Sequence, residues 1–222
     1  MRTINRKLAG VLAGIIIIGV CCGVLYQPFM NYLSSQGANP TGFVGSVVTK
    51  IWSNYFRDLS EWTLASVDLD EQHTILDVGF GGGANIKYIK EHNNESIVYG
   101  IDVSEEAVKT ATDLNRKYVD SGEVILTIND VAYMQFEDEL FDLVVATQTH
   151  IYWEELEKGL SECYRVLKHN GTLLITSEID KIEYHLPEYK NPNDFVSLLG
   201  ATGFTDVNVK TSNNYVAFIC KK

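Results

Sequence analysis

The sequence predicts an α/β fold: a doubly wound sheet of seven strands whose last strand is antiparallel, preceded by an N-terminal transmembrane or membrane-anchor helix. Three features point there. From His73 onward short β-branched runs alternate with stretches of helical spacing, the pattern of a parallel sheet with helices on both faces. The first run ends in Gly79, Gly81, Gly82 and Gly83, where a strand gives way to a helix. Only a few residues, Ser212, Asn213 and Asn214 among them, separate the final two runs, which is too short for a crossover to a parallel neighbour.

The chain has 222 residues, a net charge of -11, 45% hydrophobic residues and 21% charged residues, and so has the makeup of a globular protein with room for one domain and an appendage. Residues 1–26 contain Arg2, Arg6 and Lys7 and no acid, so the remainder is more acidic than the whole. A body of that charge repels phosphate backbones and disfavours nucleic-acid binding. Cys21, Cys22, Cys163 and Cys220 form no Cys-x-x-Cys pair or disulfide framework and are expected to be reduced thiols acting as small hydrophobes.

Taken in order, residues 8–26 are uncharged, follow a basic stretch and are just long enough to span a bilayer. No small-x-small cleavage site follows, so an uncleaved anchor is expected. Residues 27–42, with Pro28 and Pro40, form a linker. In residues 43–72 the spacing of Val44, Val48, Ile51, Trp52, Tyr55, Leu59 and Trp62 predicts a helix. The core, residues 73–222, holds expected strands at 73–80, 96–102, 124–130, 141–147, 171–177, 205–210 and 215–221. Between them lie expected helices at 83–92, 104–119, 153–168 and 191–202, the third carrying Leu156, Leu160, Cys163 and Leu167 on one face.

Chemistry concentrates at Asp77-Val78-Gly79-Phe80-Gly81-Gly82-Gly83. Glycines let the chain turn sharply and a ligand approach the backbone, and the following helix offers its N-terminal donors. Asp102, at the carboxyl end of the second strand, is placed to accept both hydroxyls of a ribose. These features imply a nucleoside-containing cofactor. Gly79-x-Gly81-x-x-Ala84 also fits a dinucleotide fingerprint, which keeps an NAD-dependent oxidoreductase as an alternative. Against it stand Asp77 within the strand, a third glycine at 83 and the antiparallel last strand.

The chain resembles class I S-adenosylmethionine-dependent methyltransferases, in particular the methyltransferase type 11 group. Asp77-x-Gly79-x-Gly81-x-Gly83 is similar to that family's glycine motif, and Tyr99-Gly100-Ile101-Asp102 to its ribose-binding strand end. Asn129-Asp130-Val131 stands where the family places an acid beside the adenine. Phe141-Asp142-Leu143-Val144-Val145 is similar to the fourth strand, and residues 162–168 before Gly171 to the segment leading into the fifth. The resemblance covers roughly residues 39–222 and implies a Rossmann-like fold, S-adenosyl-L-methionine as cofactor, and cofactor contacts at Asp77, Gly79, Gly81, Gly83, Asp102, Asp130 and Val131. It also implies that residues 43–72 are a helical cap, with Asn39-Pro40-Thr41-Gly42-Phe43 and Trp62 similar to the family's cap. Phe80, His169-Asn170 and a short segment after the fifth strand depart from the family pattern, and the last of these leaves the acceptor side less defined.

The expected reaction is in-line methyl transfer to a small-molecule or lipid acceptor, in which alignment matters most and no metal is needed. His73, His92, His150, His169 and His185 lack metal-ligand spacing. In the loop after the fourth strand, His150 is the candidate base, with Tyr152 and Trp153 as walls, and Glu178 and Tyr184 are further candidates for substrate contact. The competing readings are a hydrogen-bonding loop histidine and aromatics that pack on the sheet. A non-catalytic S-adenosylmethionine-binding protein is the alternative from another class. The anchor implies membrane attachment through residues 8–26 with the catalytic domain in the cytosol, against the positive-inside rule, which would hold Arg2, Arg6 and Lys7 there instead. A monotopic helix or inverted topology reconciles the two.

Overall fold

The computed structural model describes residues 57–222, together with Thr41, Gly42, Gly45 and Val47. The chain divides into two compact units, residues 1–38 and 39–222. The expected anchor at 8–26, the linker up to residue 40 and most of the expected helix before residue 57 lie outside the described residues. Among the described residues no helix is long and apolar enough to cross a membrane.

The described chain runs α1 (Arg57–Leu64), β1 (Thr74–Val78), α2 (Ala84–His92), β2 (Ile97–Asp102), α3 (Glu105–Leu114), α4 (Arg116–Asp120), β3 (Val124–Ile128), β4 (Phe141–Thr147), α5 (Leu156–Val166), β5 (Leu167–Glu178), α6 (Ile179–His185), α7 (Pro192–Thr202), β6 (Thr205–Ser212) and β7 (Tyr215–Lys221). Short 3-10 turns lie at Val131–Tyr133, His150–Tyr152 and Pro187–Tyr189. The sheet order is β3-β2-β1-β4-β5-β7-β6. Strands β1 to β5 pair in parallel, and β7 is antiparallel to both β5 and β6. The tight link from Ser212 to Tyr215 forces that reversal, with Asn213 at φ 52 turning the chain.

Strand alternation sorts side chains into two cores. Leu76, Val78, Val144, Ala146, Leu173 and Ile175 face one, which α5 and α7 close with Leu160, Cys163, Phe195 and Leu199. Ile75, Val98, Leu143, Val145 and Leu174 face the other, against Leu64, Ile86, Ile89, Ala107 and Ala111 of α1, α2 and α3. Cys163 and Cys220 are free and buried, and burial pushes both thiols up, that of Cys220 to about 12.

Two expected helices are corrected. The stretch 104–119 breaks at Asn115, whose Nδ2 donates to Gly83 O at 3.0 Å and Ala111 O at 3.0 Å and so binds the end of α3 to the start of α2. The stretch 153–168 is helical only from Leu156 to Val166, because residues 150–152 form a 3-10 turn and Leu167 pairs with Phe141 in the sheet. Long-range strand pairing overrides the local helical pattern there.

A charged residue in the second core has no counterpart in the hydrophobic pattern. The Lys90 side chain is 0% exposed, donates to Asn94 O at 2.8 Å and Ser96 O at 2.6 Å, and pairs with Glu123 at 3.0 Å. It thereby holds the turn between α2 and β2. Lys90→Met fills the same space but strands those carbonyls, and is expected to cost about 2–4 kcal/mol of stability in chemical denaturation.

Candidate active site

Strand β1 is flanked by β2 on one side and β4 on the other, so the connections leaving β1 and β4 run to opposite faces and open a crevice beyond their carboxyl ends. The glycine turn lines it, and its three key glycines do different work. All take positive φ, 69 at Gly79, 51 at Gly81 and 80 at Gly83. A Cβ at Gly79 would stand 2.7 Å from the Thr149 side chain, and one at Gly83 would stand 2.7 Å from Asn115 Nδ2 and 2.8 Å from Ala111 Cβ. At Gly81 a Cβ would meet nothing within 4 Å. Gly79 and Gly83 are therefore packing glycines, while the open space at Gly81 is what an approaching ligand needs.

Asp102 is locked to this turn. Its Oδ2 accepts from Gly81 N at 2.9 Å and its Oδ1 from Ser104 N at 3.0 Å. Burial raises its pKa and these backbone donors oppose the rise.

Asp77 lies completely buried. Its Oδ1 accepts from Asn85 Nδ2 at 3.3 Å, and the same amide donates to Thr147 Oγ1 at 3.1 Å. Asp77 Oδ2, Asn85 Oδ1 and, two strands away, Thr176 Oγ1 are buried without a partner. Buried oxygens left in that state are rare and call for a donor. Burial pushes the Asp77 pKa up to about 7, with the Asp102 charge adding to the rise against the Asn85 hydrogen bond.

The remaining predicted residues are spread more widely. Asp130 caps the 3-10 turn that follows it, accepting from Ala132 N at 2.8 Å, and Val131 is buried beside Gly159 of α5. Trp153 Nε1 donates to Thr149 Oγ1 at 3.2 Å, and Thr149 Oγ1 donates to Val78 O at 3.1 Å, so this loop is laid onto the glycine turn. Tyr152 packs edge-on to His185 at 4.8 Å, while Tyr184 is 77% exposed. Glu178 is buried at the end of β5.

His150 is also buried, beside Phe195 at 5.4 Å, and neither ring nitrogen has a partner. Phe195 belongs to the core on the α5 and α7 face, whereas alternation turns Asp77, Thr147, Thr176 and Glu178 to the other face. Burial lowers the His150 pKa to about 3, so the ring is neutral, and a proton accepted there would be an uncompensated charge in an apolar core. Sequence reasoning missed Asn85 and Thr176, and reached the loop that holds Gln148 and Thr149 without giving either of them a role. Their residue types carry no signal, since polar residues of these kinds are common in helices and loops.

Comparison with known proteins identifies this arrangement. Residues 76–175 match the methyltransferase-domain family model. The chain carries an S-adenosylmethionine-dependent methyltransferase domain. It is 26% identical to the uncharacterized methyltransferase YdaC of Bacillus subtilis over 71% of this chain and 85% of that protein. It is 28% identical to the phosphoethanolamine N-methyltransferase of Plasmodium falciparum over 68% of this chain, and spans only 61% of that enzyme's length. Among solved structures, a SAM dependent methyltransferase from Aquifex aeolicus aligns with a TM-score of 0.65 and 22% identity, covering 79% of this chain and 97% of that one.

The residues of the methyltransferase domain fit its cofactor. S-adenosylmethionine supplies a methyl group already activated on a sulfonium, together with an α-ammonium and a ribose. The unpartnered oxygens of Asp77 and Asn85 offer acceptors for an ammonium, and Gly81 leaves room for a ligand beside Asp102.

Gly81→Ala is expected to cost only about 1–2 kcal/mol of stability from left-handed strain, yet to weaken S-adenosylhomocysteine about tenfold or more. Gly83→Ala adds overpacking against α3 and is expected to lose about 3 kcal/mol. Denaturation and calorimetry of both variants test the division. For Asp77 the folded pKa is raised from 3.8 to about 7, so its contribution to stability is full below the unfolded value and is lost as pH rises through about 7. Ligand-free protein is expected to lose stability across that window, Asp77→Asn to lose less, and S-adenosylhomocysteine to bind more tightly as Asp77 ionises. Denaturation and calorimetric titrations at several pH values check all three.

Proposed function

We propose that this domain transfers the methyl group of S-adenosylmethionine to a small-molecule or lipid acceptor, and that the chain is tethered to a membrane through residues 8–26. The observation that carries the reading is the carboxyl edge of β1: a buried carboxylate with an unpartnered oxygen beside a glycine turn that is open at Gly81 and tied to Asp102. In this reading Asp77 and Asn85 receive the cofactor's ammonium. The backbone at Gly79 and Gly81 lines its path, with Gly83 setting the helix behind, Asp102 holds the ribose, and Asp130 and Val131 border the adenine.

In this reading the acceptor lies beyond the ends of β4 and β5, with Tyr152, Trp153, Glu178 and the exposed Tyr184 as its candidate contacts. Relatives named for phosphoethanolamine and for sterols support an acceptor that is a small polar molecule or a lipid. An uncharged run behind basic residues supports the tether, which would keep the domain at the cytosolic surface of a membrane where lipid acceptors are concentrated. His150 stands in the other core, so a base, if the acceptor needs one, is drawn from the β5 side of the sheet.

The test is transfer of labelled methyl from S-adenosylmethionine by the full chain in detergent, incubated with an extract of the source cells and then partitioned between organic and aqueous phases. Label in either phase supports methyl transfer, and label in the organic phase supports a lipid acceptor. Binding of S-adenosylmethionine with no transfer to any fraction would overturn the enzymatic reading in favour of a binding protein. Asp102→Ala is expected to weaken S-adenosylhomocysteine by about tenfold or more through the lost ribose contacts, measured by calorimetry.

A further inference from the structure

Arg165 lies in the last turn of α5, within the stretch 162–168 that the cofactor site leaves without a role. All five of its N–H donors are engaged. Nε donates to Glu162 Oε1 at 2.7 Å and Nη2 to Glu162 Oε2 at 2.8 Å, so a carboxylate one turn earlier on the same helix fixes the plane of the guanidinium. The other donors reach away from the helix. Nη2 donates to Met134 O at 3.1 Å, and Nη1 donates to Phe136 O at 2.7 Å and to Asp138 Oδ1 at 2.7 Å. The Asp138 side chain is exposed, and an ion pair of that kind contributes little. The two carbonyls are the specific contacts. In extended chain the oxygens of residues two apart point the same way, and one planar fork takes both.

Those carbonyls belong to the chain that leaves the Val131–Tyr133 turn. Asp130 caps the turn at its start, with Oδ1 accepting from Ala132 N, and Met134 ends it in an extended conformation. Helix α5 meets the turn itself at Gly159, where a Cβ would stand 3.2 Å from Val131 Cγ1. Residues 159 and 165 are about 9 Å apart along a helix, so α5 holds the turn at one point and the chain after it at another. Further on, Glu139 N donates to Arg165 O at 3.1 Å and Leu140 N to Val166 O at 2.8 Å. Phe136 packs edge-on to Tyr99 at 5.7 Å and to Phe141 at 5.1 Å. Those contacts do not involve the guanidinium. Without it the segment therefore stays packed, but residues 131–136 lose the bonds that set their angle to the helix.

We infer that Arg165 is a positioning residue for the adenine end of the cofactor: by holding Met134 O and Phe136 O it sets the angle of the turn that carries Asp130 and Val131. This rests on the placement of those two residues at the adenine proposed above. A hydrogen bond from the adenine amino group to a carboxylate weakens steeply as it bends. A small rotation of the turn costs that bond and leaves the ammonium and ribose contacts, which come from β1, α2 and β2, unchanged. Arg165 acts only through the backbone of residues 134–136.

The test uses the full chain in detergent micelles and calorimetric titration with two ligands, S-adenosylhomocysteine and its analogue in which purine, with hydrogen in place of the 6-amino group, replaces adenine. The wild-type protein is expected to prefer S-adenosylhomocysteine by about tenfold or more. Asp130→Asn, which keeps an oxygen for Ala132 N, should lose that preference. Arg165→Met should weaken S-adenosylhomocysteine by most of that factor while leaving the affinity of the purine analogue in place, whereas a merely structural role would weaken both ligands alike. Arg165→Lys keeps a charge beside Glu162 and so secures folding, and without a planar fork it should lose most of the preference too. Lys90→Met, which costs stability in the other core, should keep it. An intact preference in either Arg165 variant, equal weakening of both ligands, or a preference lost in Lys90→Met would overturn the positioning role. A wild-type protein that binds both ligands equally, or a preference that survives Asp130→Asn, removes the adenine placement and this inference with it. Failure of the wild-type chain to hold S-adenosylhomocysteine is a separate result, which removes the cofactor assignment itself.

Discussion

A carboxylate sealed from water at the centre of the sheet is the constraint around which the carboxyl edge is organised. Asp77 sits on the strand that every other parallel strand is built outward from, so neither its backbone nor its side chain can move aside. Desolvation of such a group is costly unless something bonds it. Asn85 supplies one bond and is itself held by Thr147, which links the first turn of α2 to the end of β4. The second oxygen is buried without a partner. In the proposed reading it receives the cofactor's ammonium, which would couple the stability of the site to the ligand's presence.

The glycine turn and the loop after β4 form a second level of the same arrangement. Thr149 occupies the space that a side chain at residue 79 would need, and Trp153 bonds Thr149 in turn. The loop after β4 is therefore seated on the glycine turn after β1. Asp102 closes the assembly from β2 by accepting from Gly81 N. Few of these contacts bury much apolar area, so they determine orientation more than stability. The stability comes from the two cores on either face of the sheet, which leave the crevice between them free to vary in chemistry.

Much of the fold was legible in the sequence because the hydrophobic period switches cleanly between two and nearly four from residue 73 onward. The antiparallel last strand was legible for a geometric reason, since so short a link cannot cross a sheet. The glycine turn after β1 and the place of Asp102 at the end of β2 were legible because the hydrophobic runs stop there. Helix limits were less so. Asn115 ends α3 by bonding Gly83, a residue 32 positions earlier, and Leu167 leaves the helical pattern to pair with Phe141. Neither partner can be seen from the local pattern.

By itself, then, the sequence determined the layered α/β architecture, the reversal of the last strand and the glycine turn after β1, because each depends on local period, turn length or a residue type confined to one conformation. The tertiary structure alone decided which face each polar side chain meets. It put His150 in an apolar core away from Asp77 and Thr147, gave Gly79 and Gly83 to packing and Gly81 to open space, and drew Gln148, Thr176 and Glu178 together. The physical reason is that burial and hydrogen-bond partnership are properties of neighbours from distant strands, and the pairing of β4 with β5 creates neighbours that are about 30 residues apart in the chain.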